Sequence, residues 1–116
     1  MMKLTPFACA LALCALPSLA WCQGTPQGDP VAGQSKTAMC SGCHGIPGWR
    51  TAYPEVYGVP KIGGQHPAYI VKALQEYKSG ERSHPSMRAI AASLSDQDMA
   101  DLAAYYSGAE AHTAGK

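Results

Sequence analysis

The chain has 116 residues, which fits one domain, with nine basic and eight acidic residues and a formal net charge of +1. Removing an N-terminal segment that contains Lys3 leaves eight of each sign, so no bulk charge would draw the mature chain to nucleic acid. A mature domain of fewer than about 100 residues has a marginal core, so a disulfide, a metal or another internal support is expected.

Residues 1–20 are predicted to be a secretory signal peptide. A short positive start ending at Lys3 is followed by an almost wholly apolar run over residues 4–16 and then by small residues up to Ala20. A membrane anchor needs about 20 unbroken apolar residues, which this run does not have. Cleavage after Ala20 or after Cys22 would leave a polar N-terminus, and we take Ala20. The sequence thus predicts export to the periplasm, with no stable membrane insertion after cleavage.

The mature chain is predicted to open with a linker and a first helix. Residues 21–29 form a linker rich in Gly, Pro and Gln, and the domain covers residues 30–108. Asp29 suits the N-cap and Pro30 the first helical turn, which predicts a helix over residues 30–40. Residues 41–65 are dense in Gly and Pro and are predicted to be loop.

Three more helices are predicted in the second half of the domain. Apolar residues at three- and four-residue spacing predict a helix over residues 67–79, and Gly80 ends it. A short helix is predicted over residues 86–92. Ser95, with Asp98 three residues later, resembles a capping box and opens a closing helix.

The fold class is therefore predicted to be all-α. Alternation of Val, Ile and Thr at a period of two is absent, so we expect about four helices joined by long loops. Gly108 closes the last helix, and residues 109–116 are predicted to be a flexible tail.

One motif carries the chemistry. Signal cleavage removes Cys9 and Cys14, and the chain keeps the pattern C-x-x-C-H at Cys40, Cys43 and His44. Two thiols one helical turn apart can each add to a vinyl group of a porphyrin, while the next imidazole reaches the iron. A zinc site would need a second Cys or His pair, and a redox dithiol would lie beside strands and would not need the histidine.

With this motif, the chain resembles a class I bacterial cytochrome c. It is most similar to a single-haem relative of the periplasmic dihaem cytochromes. The resemblance runs from Gly33 to Ser107 and includes the PKIGGQ segment at residues 60–65, residues 69–82, Met87 and the closing residues 94–106. No second C-x-x-C-H is present, so it implies one haem c, bonded through Cys40 and Cys43, and a one-electron carrier.

The second axial ligand has several candidates on the residues alone. They are Met87, Met99, His66, His84 and His112. Met99 belongs to the apolar face of the closing helix, where a methionine usually fills the core. His84 shares a loop with Met87, but a loop histidine is more often solvated or capping. The resemblance selects Met87, which pairs with His44 and implies a raised reduction potential.

The supporting residues follow from the same resemblance. It implies that the backbone carbonyl of Pro60 holds the second ring nitrogen of His44, with Pro47 as the nearer alternative. It also implies that Gly33 and Ala103 let the first and last helices cross closely. Apolar walls are expected from Ile62, Ile70, Leu74, Ile90, Leu94 and Leu102. Contacts with haem propionates, or else plain packing, are expected of Tyr69, Tyr77, Arg82, Arg88 and Trp49.

The sequence therefore predicts an electron carrier and not an enzyme. Its partners would be redox proteins, a donor and an acceptor, met in small and short-lived encounters. The alternative is a dedicated haem subunit of one oxidoreductase complex. An enzyme or gas sensor would need an open iron position, which Met87 would fill. The oligomeric state is left open.

Overall fold

The computed structural model describes residues 26–52 and 56–108. Within these ranges the chain forms helices α1 (Pro30–Ser35), α2 (Ala38–His44), α3 (Pro67–Ser79), α4 (Pro85–Ala92) and α5 (Asp96–Ser107). Between α2 and α3 lie two very short strands, β1 (Arg50–Thr51) and β2 (Tyr57–Gly58). The predicted all-α class is confirmed. The predicted signal peptide, much of the linker and the tail lie outside the described residues, and no described helix is long and apolar enough to cross a membrane.

The structure has two helices where the sequence predicts one over residues 30–40, so that prediction is wrong. A turn at Lys36 and Thr37 separates α1 from α2, and α2 continues through the C-x-x-C-H motif to His44. At this turn the Lys36 ammonium pairs with Asp98 and Asp101 on α5. The motif therefore lies on a helix and not in the loop that follows one.

The predicted loop over residues 41–65 contains the two strands. They pair antiparallel, with Arg50 opposite Gly58 and Thr51 opposite Tyr57. The amide of Val59 extends this pairing by donating to the carbonyl of Trp49 at 2.9 Å. Two residues per strand give no alternation that a sequence pattern would detect.

The ends of the later helices follow the predicted local signals. Gly80 ends α3 in the left-handed conformation, with φ 92°, which glycine adopts without a steric penalty. α5 begins with the predicted capping box, in which Ser95 and Asp98 exchange hydrogen bonds between side chain and backbone.

The core lies between the C-terminal helices. α1 and α3 pack on α5, and α3 also packs on α4. We call the buried residues at these contacts the core cluster, which consists of Ile70, Val71, Leu74, Leu94, Met99, Leu102, Ala103, Tyr105 and Tyr106. Met99 is fully buried, which confirms it as a core residue.

The crossing of α1 and α5 depends on Gly33. A Cβ atom at this position would lie 2.1 Å from the carbonyl oxygen of Asp101 and 2.9 Å from Cβ of Tyr105. The close approach was predicted, but its partners on α5 are Asp101 and Tyr105 and not Ala103, which belongs to the core cluster.

Candidate functional site

The C-x-x-C-H motif occupies the last turns of α2. Cys40 is half-buried and Cys43 is exposed. They are three residues apart on a helix, so they lie on one face of α2. His44 is the last residue of this helix. The helix thus presents two thiols and an imidazole along consecutive turns.

The two thiols have different surroundings. Cys40 packs against the core cluster, to which Tyr106 belongs. Burial raises the pKa of the Cys40 thiol. Burial also raises the pKa of the Tyr106 phenol well above its usual value, and the neighbouring Cys40 adds to this effect. Both groups are therefore held in their neutral forms at physiological pH.

The imidazole of His44 is oriented by the loop before α3. Its Nδ1 lies 2.7 Å from the backbone carbonyl oxygen of Pro60. A carbonyl oxygen only accepts hydrogen bonds, so Nδ1 carries the proton in this pair and Nε2 is the ring nitrogen left to bind a metal. The same loop is tied to α5, because the amide of Gly64 donates to the carbonyl oxygen of Tyr106 at 2.7 Å.

Met87 lies in the first turn of α4. It is partly buried and packs against the core cluster, as do Cys40 and Ile62. The thioether and the inner thiol of the motif are therefore both next to the same set of buried residues. His84 is the N-cap of α4, and its Nδ1 accepts the backbone amide hydrogen of Met87 at 3.4 Å. His84 also packs edge-on against the ring of Tyr57.

The other ligand candidates have different places. Met99 fills the core, and His66 is an exposed residue that precedes α3. His112 lies outside the described residues. Among residues 26–52 and 56–108, no group of three or more His, Cys, Asp and Glu side chains could hold a metal ion.

Of the five residues considered for propionate contacts, Arg82 contacts two others, Tyr69 and Tyr77. Arg82 donates to the hydroxyl of Tyr69 at 3.0 Å and pairs with Glu76 at 2.9 Å. Its guanidinium also lies over the rings of Tyr69 and Tyr77. The Arg88 guanidinium lies near Gly80, and Trp49 is exposed.

A buried carboxylate was missed by the sequence analysis. Asp101 is only 3% exposed, and it accepts hydrogen bonds from the amide of Asp29, from Gln97 and from Lys36. The Lys36 ammonium, followed by the hydrogen bonds from Asp29 and Gln97, lowers the pKa of Asp101 to about 2. No local pattern indicates this burial, because Asp101 lies two residues after Met99 and so does not share a helix face with it.

These residues fit a covalently attached haem. The chain presents two cysteines on one helix face, an imidazole whose Nδ1 donates to a backbone carbonyl, and a thioether beside the same core cluster. Several large apolar side chains on α2 and in the segments that follow it are exposed. They are Met39, Ile46, Trp49, Val56 and Tyr57.

Comparisons with known proteins agree with this geometry. The family model described as Cytochrome c matches residues 31–108. The chain is 42% identical over 79 residues to cytochrome c4 of Pseudomonas aeruginosa, a match that covers 68% of this chain and 37% of that protein. It is 38% identical over 86 residues to cytochrome c-554(548) of Halomonas halodenitrificans, which covers 72% of this chain and 99% of that protein.

A third relative has a name that states a partner. The chain is 40% identical over 73 residues to the thiosulfate dehydrogenase electron acceptor of Stutzerimonas stutzeri, covering 62% of this chain and 32% of that protein. The matched part spans about two fifths of the length of the cytochrome c4 relatives.

The helical fold and the C-x-x-C-H helix define a class I c-type cytochrome. The chain belongs to the cytochrome c family, and its cofactor is covalently bound haem c.

Proposed function

We propose that this chain is a periplasmic monohaem electron carrier in a respiratory or related electron-transport chain. Cys40 and Cys43 would form the two thioether bonds to the haem, and His44 and Met87 would bind its iron. The observation that carries the proposal is the 2.7 Å pair between His44 Nδ1 and the Pro60 carbonyl, because it leaves Nε2 available to a metal.

The haem, when bound, supplies an iron that takes up and releases one electron. The residues of this chain determine how readily that happens. Pro60 fixes the tautomer and orientation of His44 and makes the imidazole a stronger ligand. The thioether of Met87 raises the reduction potential relative to a second imidazole.

Exclusion of water by apolar side chains would also raise the reduction potential. Ile62 and Met87 are partly buried against the core cluster, and Leu74 and Leu102 belong to that cluster. An apolar wall disfavours the additional positive charge of ferric iron, so it raises the potential further. Two occupied axial positions would also keep oxygen and peroxide from the iron, which favours electron transfer over catalysis.

The proposed role involves two transient partners, an electron donor and an electron acceptor. The match over almost the full length of cytochrome c-554(548) supports a unit that works as a single domain. The name of the relative from Stutzerimonas stutzeri supports a second candidate, a haem protein dedicated to one oxidoreductase. Sizing of the native protein separates them, because a carrier elutes alone and a dedicated subunit elutes with its partner.

The axial ligand is tested with a matched pair of methionine variants. Met87→Leu and Met99→Leu both replace a thioether by a side chain of similar volume, so neither opens a cavity. We expect Met87→Leu to lose the long-wavelength ferric absorption of Met-ligated haem, to bind carbon monoxide when reduced, and to lower the reduction potential. Met99→Leu should keep all three properties of the wild type. The assignment is wrong if Met99→Leu shows the losses and Met87→Leu does not.

A further inference from the structure

Met87 is the third residue of α4, so its backbone amide is one of those at a helix start that have no partner within the helix. The imidazole of His84 provides the partner, because its Nδ1 accepts the amide hydrogen of Met87 at 3.4 Å. This is the usual pairing of an N-cap side chain with an amide in the first helical turn. The cap of α4 is therefore bonded directly to the residue proposed as a ligand of the iron.

Contacts on both sides of His84 hold this cap in place. Its ring meets the ring of Tyr57 edge-on, with the centroids 5.5 Å apart and the planes at 64°. Its carbonyl oxygen accepts from the amide of Arg88 at 2.9 Å, which is the first hydrogen bond of α4. Pro85, the next residue, has a backbone already restricted to the helical φ range. His84 thus joins β2 to the start of α4.

The position of the Met87 side chain depends on this first turn. Met87 is partly buried against the core cluster, whereas Pro85, Ser86 and Arg88 are exposed. Met87 is thus the inward-facing residue of the turn. Helix ends fray, and fraying here would move the thioether away from its place beside the core cluster. The hydrogen bond from Met87 to His84 opposes that movement.

We propose that His84 is a positioning residue for Met87, whose N-cap hydrogen bond holds the first turn of α4 and thereby makes the thioether a stronger competitor for the haem iron. This inference rests on the proposed function, in which Met87 binds that iron. His84 acts through the backbone of Met87 and not as a ligand itself. Histidine is not among the preferred N-cap residues, which are Ser, Thr, Asp and Asn, so no sequence motif assigns this role.

The test measures how readily added imidazole displaces the thioether in the ferric holoprotein. In this exchange the iron–sulfur bond breaks and an iron–nitrogen bond to imidazole forms, and the iron stays ferric, so no oxidant or reductant is needed. Loss of the long-wavelength ferric absorption of Met-ligated haem reports the displacement.

Three variants separate the two contacts of the His84 ring. His84→Ala removes both of them, and His84→Phe keeps a ring beside Tyr57 but has no acceptor for the Met87 amide. His84→Asn restores an acceptor of a type that caps helices well. Ser95→Ala is the matched control, because it removes the N-cap of α5, a helix that carries no proposed iron ligand.

We expect imidazole to bind His84→Ala and His84→Phe about fivefold more tightly than the wild type, which is the change in an equilibrium constant that loss of a typical N-cap produces. His84→Asn and Ser95→Ala should bind imidazole as the wild type does. If His84→Ala does not fold, His84→Phe and His84→Asn provide the comparison by themselves.

The inference is overturned if the His84 variants without an acceptor bind imidazole no more tightly than the wild type. It is overturned as well if Ser95→Ala shows the same gain, since a general loss of stability would then explain both. A His84→Phe protein that behaves like the wild type, or a His84→Asn protein that behaves like His84→Ala, would show that the ring and not the hydrogen bond holds Met87.

The wild type distinguishes this inference from the proposed function. A ferric wild type without the long-wavelength absorption would refute ligation by Met87, and both proposals would fail at that residue. A wild type that has this absorption, together with His84 variants that do not change imidazole binding, would refute only the role of His84.

Discussion

Replacing Gly33 by alanine tests the packing that joins the two ends of the domain. The added Cβ would lie 2.1 Å from the carbonyl oxygen of Asp101, whereas ordinary contact begins at 3.4 Å. Its nearest neighbours are a backbone carbonyl and the Cβ of Tyr105, which no rotamer change can move away. α1 would therefore have to move from α5 by roughly 1 Å.

The size of the effect follows from two opposing contributions. Overpacking costs about 1–3 kcal/mol, and a clash with backbone lies at the upper end of that range. Alanine recovers about 1 kcal/mol through its higher helix propensity. The net expectation is a loss of about 2 kcal/mol in the free energy of unfolding. In a domain of this size each kcal/mol lost lowers the Tm by about 4–8 °C, so we expect the Tm to fall by about 8–16 °C.

The assay is thermal unfolding of the holoprotein followed by circular dichroism. Gly58→Ala is the control, because no atom lies within 4 Å of the Cβ that it would add. Its free energy of unfolding should stay within about 0.5 kcal/mol of the wild type. A Gly33→Ala protein that melts at or above the wild-type temperature would refute the close crossing of α1 and α5.

Three further outcomes are expected. Ser95→Ala removes the capping box of α5 and should lower the free energy of unfolding by about 1 kcal/mol in guanidinium titrations. Gly80→Ala places a side chain at φ 92° and should destabilise the end of α3 by about 1 kcal/mol, measured in the same way. The pKa of Asp101 is lowered from 3.8 to about 2, mainly by Lys36, so its contribution is present above pH 4 and is lost as the pH falls towards 2. In an acid titration we therefore expect Asp101→Asn to lose less of its free energy of unfolding between about pH 4 and pH 2 than the wild type loses. An equal loss in the two proteins would contradict the lowered pKa of Asp101.

The helices α3, α4 and α5 could be predicted because their limits are set by local chemistry. Proline in the first turn, glycine in the left-handed cap and the Ser95–Asp98 capping box each act within a few residues. The split between α1 and α2 could not be predicted in this way. Lys36 and Thr37 contain no helix breaker, and the partners of Lys36 lie more than sixty residues away on α5.

The same distinction applies to the site. The C-x-x-C-H motif is a local pattern, so Cys40, Cys43 and His44 can be predicted from their spacing. The buried carboxylate of Asp101 was not, because a charge on a helix suggests a structural role only when the contacting residues are known. Two of its partners, Lys36 and the amide of Asp29, come from the other end of the domain.

The most direct test of the account is the mass of the mature protein after export in a host that attaches haem. The account predicts a polypeptide that begins after Ala20, heavier than the bare chain by one haem, with neither Cys40 nor Cys43 open to alkylation after denaturation. A mature chain of bare polypeptide mass, with both thiols reactive, would contradict it.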